Sequence, residues 1–454
     1  MRDTARNIER NSKKKGEKAQ TLPPFTMAFA KVATTEDPPG VLTLTEMEST
    51  SMMVGPAITT VTFMSGDATS AAKQLRTRFT EVLKANPWLA GRIKKDKASK
   101  RVQLHHPMEV KLADVAAMFF GPEEKMPPVV SSTMSFYDIC KTLGGSVCEV
   151  PTGRDCVSKS TPLVTLSIVV DHHMPKKRFA VIWSVSHVIV DGFTYYKLLA
   201  MLSSEGVVAS LNAARKHSIE EESERAAGLP ESAFMKSGCM ICNVVCTMLC
   251  SSTKPDIRSY YVDVARVNEA KGKTELTDEV AFVSTNDILS STFARATDCQ
   301  VLLVPINFRQ KLPAYTENDA GNYEGALCFT RDDCVTPALV RCTLNSGPPA
   351  YSRATAVGLP GGCSTFNTRL SMVTSWVFPW YSELKISDCE QILHTPHCDV
   401  QMVPFNITVV YRPRAGQTAV AIFSRKIPAD VLVAQMPLGS PVTNADQAAQ
   451  TPLG

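Results

Sequence analysis

The chain has 454 residues, 44% of them hydrophobic and 20% charged, an ordinary globular balance with material for two or three domains. Its net charge of +4 sits in residues 1–24, where seven Lys/Arg meet three Asp/Glu, and the remaining 41 of each sign exclude a strongly basic nucleic-acid face on the folded body. No apolar run of about 18 residues occurs, so no spanning helix is expected, and fourteen cysteines without a secretory leader point to a reducing, cytoplasmic setting with free thiols.

Residues 1–24 are polar and basic and read as a disordered tail. VLTLTEMES and ITTVTFMSG then read as strands. ATSAAKQLRTRFTEVLKA, 68–85, has Leu75, Phe79, Val82 and Leu83 at helical spacing and predicts an amphipathic helix. NPWLAGRIKK turns into another strand. Residues 163–170 and 178–186 predict two buried strands joined by DHHMPKK, whose paired histidines read as a polar hairpin tip.

His187 follows the second of these strands, and Asp191-Gly192 makes the turn into a helix marked by Phe193, Tyr196, Leu199 and Ala200. An imidazole at a strand-to-helix junction faces whatever cleft opens at that edge. It is the side chain best suited to take a proton from a hydroxyl or amine and give it to a leaving group. Asp191 is placed to hold the turn, and Gly192 to supply a backbone angle that other residues reach only with strain.

Residues 203–232 are polar and acidic and fit a crossover linker between halves. In SGCMICNVVCTMLCSS, Cys239, Cys242, Cys246 and Cys250 trace one helix face, with no histidine or second pair nearby, so a buried apolar face is expected and no metal site. YYVDVARV predicts a strand and NEAKGKTELTDE a loop. Its GKT resembles a phosphate loop, but Val267 stands where the first glycine is needed. Ser284 or Thr285 caps a helix in FVSTNDILSSTFARAT. VLLVPINFRQKL, TRLSMVTSW, VQMVPFNITVVYRP and QTAVAIFSRKI read as strands, and residues from 439 onward as a loose tail.

HVIVDG (187–192) resembles the HxxxDG motif of BAHD-type acyltransferases and their chloramphenicol acetyltransferase-like relatives, which include condensation domains and wax ester synthases. NPWLAGRI (86–93), FVSTNDILSSTFARA (282–296), VPINFRQKLPAY…AGNYEG (304–325) and VTSWVFPWY (373–381) resemble further family segments in the same order, over about residues 40–435. The plant-type enzymes carry DFGWG after the Ser-Trp strand; YSELKISDCEQ stands here instead.

The resemblance implies an α/β fold of mixed sheets with helices, arranged as two chloramphenicol acetyltransferase-like lobes with a channel between them. The expected lobes are 25–202 and 255–438, joined by a crossover at 203–254 that holds the Cys-rich helix. The implied activity is acyl transfer from acyl-CoA, a co-substrate rather than a resident cofactor, to a small-molecule hydroxyl or amine acceptor, without a covalent acyl-enzyme. His187 is then the general base, and Ser375 and Trp376 mark the oxyanion region. Lys271, Lys273, Ser284 and Thr285 are the candidates for CoA. Asp191 pairs with Arg309 to orient the motif, no metal is implied, and a monomer is expected. Two other readings stand beside this one. One is a catalytically degenerate binding or regulatory relative, motivated by the missing DFGWG and opposed by the intact His187, Asp191 and Gly192. The other is a carrier-protein-dependent condensing enzyme, opposed by the lack of carrier and adenylation segments.

Overall fold

The computed structural model describes residues 37–98, 100–123, 128–250, 256–381, 383–398, 405–424 and 427–450. The basic segment 1–24 expected to be disordered lies outside them.

Two large sheets organise the chain. A five-stranded sheet runs in the order Glu390–His397, Ile58–Ser65, Arg178–Val185, Val164–Val170, Phe119–Phe120. A seven-stranded mixed sheet runs Glu324–Thr330, Val301–Asn307, Leu370–Ser375, Asn406–Tyr411, Ala419–Ser424, Asp256–Val262, Leu438–Pro441. A small sheet of Val41–Thr43, Val102–His105 and Arg92–Lys95 flanks the first.

The strand Arg178–Val185 is apolar at almost every position because both of its faces are covered. Val181, Trp183 and Val185 share a core with Leu75, Phe79 and Leu83 of the helix Ala68–Ala85. Ala180 and Ile182 point the other way, into a core shared with Val409, Tyr411, Ala421 and Phe423 of the seven-stranded sheet. That shared core joins the two lobes through buried apolar area, worth about 25 cal/mol per Å² removed from water.

Several expectations are corrected. The two-part division at 25–202 and 255–438 does not account for Glu390–His397. This strand crosses back to pair antiparallel with Ile58–Ser65, because its side chains from Gln391 onward need cover on both faces. VLTLTEMES is a strand only over Val41–Thr43. Thr45 then caps a short helix, Glu46–Ser49, in a capping box with Glu48, and this local hydrogen bonding overrides the alternating pattern. The strand expected over YYVDVARV ends at Val262. Asp263 caps the helix Val264–Lys273, which takes up half of the expected loop. Residues 439–450 are not a loose tail. Leu438–Pro441 is an edge strand, and Ala445–Gln450 is a helix with Ala445 and Ala448 buried against the shared core. In the helix Gly238–Cys250, the face turned inward carries Met240 and Asn243, whose amide donates to the Thr365 and Thr368 carbonyls; Cys242 is exposed.

Among the described residues no helix is long and apolar enough to cross a membrane, and no group of His, Cys, Asp and Glu is set to hold a metal.

Candidate active site

Strand Arg178–Val185 ends one residue before Ser186, and the helix Gly192–Met201 begins five residues after His187. Asp191 is its N-cap. Its Oδ1 accepts from the Thr194 backbone N–H at 2.9 Å. The other carboxylate oxygen reaches across to the second half of the chain, where it accepts from Arg309 Nη1 at 2.6 Å and from the Tyr323 backbone N–H at 3.1 Å. Arg309 leaves the strand Val301–Asn307, and the rest of its guanidinium is bound too. It donates to Thr194 Oγ1 and to the carbonyls of Asp319 and Gly321, and it stacks between the rings of Phe193 and Tyr323. Burial opposes charge on Asp191, but Arg309 and the backbone donors outweigh it and hold the carboxyl below the ordinary aspartate range.

A second buried ion pair lies on the other side of the same loop. Arg215 Nε donates to Glu48 Oε2 at 2.9 Å, and neither side chain is more than 1% exposed. Arg215 also donates to the carbonyls of Ile189 and Ala320. Gly321 lies between the two arginines with φ +134°, and a Cβ there would lie 3.1 Å from Arg215 Cζ, so any other residue is strained and crowds the guanidinium.

Asn322 connects these pairs to His187. Its Nδ2 donates to Glu48 Oε1 at 3.2 Å and to the His187 carbonyl at 2.9 Å. A carboxylate and a carbonyl can only accept, which fixes the amide: the Oδ1 faces His187 Nδ1 at 3.1 Å and must accept from it. The proton therefore sits on Nδ1, and Nε2 carries the free lone pair. Nε2 faces Glu324, the first residue of strand Glu324–Thr330, with Oε1 at 3.9 Å. The His187 and Glu324 side chains are both partly buried, at 23% and 24% exposed. Burial and the charge of Asp191 raise the Glu324 carboxyl to about 7, against the opposing pull of His187 and Arg309.

The other sequence-derived candidates fall in three places. Trp376 follows the strand Leu370–Ser375, with its backbone N–H on the Val410 carbonyl, and its indole lies about 4 Å from where a Cβ of Gly192 would stand. Gly192 does not have the strained backbone expected of it; it is an ordinary first helical residue, and a Cβ there would meet Trp376 at ordinary contact distance. Ser375 is exposed at the strand end and accepts from the Val377 N–H. Lys271 and Lys273 lie in the last turn of a helix rather than in a loop, and Lys273 pairs with Glu269. Ser284 caps the helix Thr285–Ala296 in a capping box with Asp287, whose carboxylate also holds Arg341. That helix start is thus already supplied with negative charge.

Glu48, Arg215, Asn322 and Glu324 were not among the sequence candidates. AGNYEG brackets two of them, but a loop motif does not say which side chain turns toward a histidine 135 residues away.

No family model and no curated protein sequence matches the chain. Solved structures do match. TRI101 of F. graminearum, complexed with coenzyme A and T-2 mycotoxin, aligns at TM-score 0.60 and 14% identity over 87% of this chain and 96% of its own. Vinorine synthase aligns at 0.54 and 9% over 89% and 96%. Polyketide synthase associated protein 5 from Mycobacterium tuberculosis aligns at 0.51 and 12% over 88% and 97%. At such identities the likeness establishes the fold. It is the mixed α/β architecture that the sequence resemblance implied.

Proposed function

We propose that the protein is an acyltransferase that moves an acyl group from acyl-CoA to a small-molecule hydroxyl or amine, with His187 as general base. The observation that carries this reading is the imidazole itself. Asn322 holds the proton on Nδ1, so Nε2 presents its lone pair on the side facing Glu324, in a side chain that is only partly buried. The presence of coenzyme A and a small-molecule toxin in the TRI101 structure of the same fold supports this pair of substrates.

In this mechanism Nε2 takes the acceptor's proton as its oxygen or nitrogen attacks the thioester carbonyl. The oxyanion is stabilised near Ser375 and Trp376, and the departing thiolate receives the proton from Nε2. The imidazolium formed in between sits 3.9 Å from the Glu324 carboxyl, which favours it when ionised. Asp191 and Arg309 position the motif without touching substrate. Lys271 and Lys273 are the candidates for the CoA phosphates, with lysine acting as a point charge. No acyl-enzyme is required.

The test is release of free thiol from a panel of acyl-CoAs with mixed acceptors, with products identified by mass spectrometry. Acceptor-dependent thiol release and an acylated product support the reading. No release with any acyl-CoA contradicts it.

A further inference from the structure

Glu324, partly buried, is unlike the two fully buried carboxylates of the site. Asp191 and Glu48 are saturated with donors from arginine, asparagine and backbone. Among the described residues the Glu324 carboxyl accepts no hydrogen bond, and His187 Nε2 faces it at 3.9 Å. That gap is too long for a direct hydrogen bond. It is short enough for one donor atom bearing two hydrogens to bridge both groups, each at about 2.9 Å. Two proton acceptors thus converge on one point, on the Nε2 side of the imidazole.

An alcohol loses one proton on becoming an ester, and one base is enough. An alkylammonium loses two on becoming an amide, and it needs a second base at the same nitrogen. We propose that Glu324 is that second base and that the acceptor is a primary amine bound as its ammonium ion. This rests on the acyl-transfer reading and narrows its substrate class.

The protons balance as follows. The Glu324 carboxylate pairs with the ammonium and takes its first proton. The freed lone pair forms the C–N bond at the thioester carbonyl carbon. His187 Nε2 takes the second proton from that nitrogen, the C–S bond breaks, and the thiolate receives this proton from Nε2. Glu324 returns the first proton to solvent. The net change is ammonium plus acyl-CoA to amide, free thiol and one proton. The charged groups bearing on Glu324 are Asp191, His187 and Arg309. Their sum with burial makes it a stronger base than an ordinary carboxylate, as accepting a proton from an ammonium requires.

The experiment measures thiol release with acetyl-, malonyl- and long-chain acyl-CoA against primary amines and the alcohols of the same carbon skeletons. Wild type, Glu324→Gln and Glu324→Asp are compared. The proposal predicts higher kcat/KM for amines in the wild type. The amine-to-alcohol ratio should drop about 10²-fold in Glu324→Gln, the low end of the cost of losing a positioned base, with part of it restored in Glu324→Asp. Preference for alcohols, or a ratio unchanged in Glu324→Gln, overturns the proposal while leaving acyl transfer standing. No thiol release with either class overturns both.

Discussion

Arg309 Nη1 lies 2.6 Å from Asp191 Oδ2, with neither side chain more than 1% exposed, so one buried ion pair ties the turn after His187 to the strand exit of the other lobe. Removing one partner leaves a buried charge without its counter-ion, which typically costs about 3–5 kcal/mol. Asp191→Asn and Arg309→Gln should each lower the melting temperature and the turnover. The double variant should lose less than the sum of the two, since no lone charge remains. Strictly additive losses in a double-mutant cycle would contradict the coupling. The pair also carries an acid limb. Because the Asp191 carboxyl titrates below its ordinary value, its stabilisation is complete above about pH 4 and is lost as pH falls through the folded value. Thermal melts of Asp191→Asn should show a shallower acid limb than wild type.

Gly321→Ala should destabilise the protein by about 1–3 kcal/mol through its positive φ, and by more if Arg215 has to leave Glu48 to admit the methyl group. Chemical denaturation checks this. An unchanged midpoint would mean that the loop relaxes without disturbing either arginine.

Asn322→Leu removes the acceptor for His187 Nδ1 while roughly keeping side-chain volume. Turnover should fall about 10²-fold, the scale of a misplaced reacting group, with a smaller change in KM. Nitrogen NMR of the imidazole should report loss of the Nδ1–H tautomer. A retained tautomer would show that another group holds the ring.

Lys271→Ala combined with Lys273→Ala should raise the KM for acyl-CoA severalfold and leave that for the acceptor nearly unchanged, if their ammonium groups meet the CoA phosphates. Steady-state kinetics with each substrate varied in turn decides it.

His397 supplies an alkaline test away from the site. Burial opposes its charge, yet Cys140 and Glu149, whose Oε1 lies 3.1 Å from Nε2, raise it to about 10. A histidine raised in the folded state stabilises fully below its unfolded value of about 6.5 and loses that contribution as pH rises toward 10. Melting temperatures should therefore fall across that range more steeply in wild type than in Glu149→Gln.

The parts of this architecture legible in the sequence are those set by local pattern. The helix Ala68–Ala85 follows from its apolar stripe and occupies the expected residues. The strands Val164–Val170 and Arg178–Val185, and the turn at Asp191, follow from an apolar run ended by a polar junction. What stayed hidden depends on contacts between distant segments. Glu48 sits in a stretch whose alternation reads as a strand, and only its capping box and Arg215 make it the buried anchor of Asn322. Glu324 opens a strand and looks like any polar edge residue until the fold brings it to His187. Strand Glu390–His397 carries two histidines that obscure its apolar character. Both are buried, His394 between Thr62 and Tyr196 and His397 against Glu149.

The most direct measurement is thiol release from acyl-CoA by His187→Ala beside wild type, with the melting temperature recorded for both. The mutation removes the ring nitrogen whose lone pair faces Glu324, and His187 lies after the strand end, where a small residue does not interrupt the sheet. The expected result is a turnover lower by about 10²–10⁴-fold with a melting temperature near that of wild type. Turnover close to wild type in the folded variant would remove His187 from the chemistry and contradict the account.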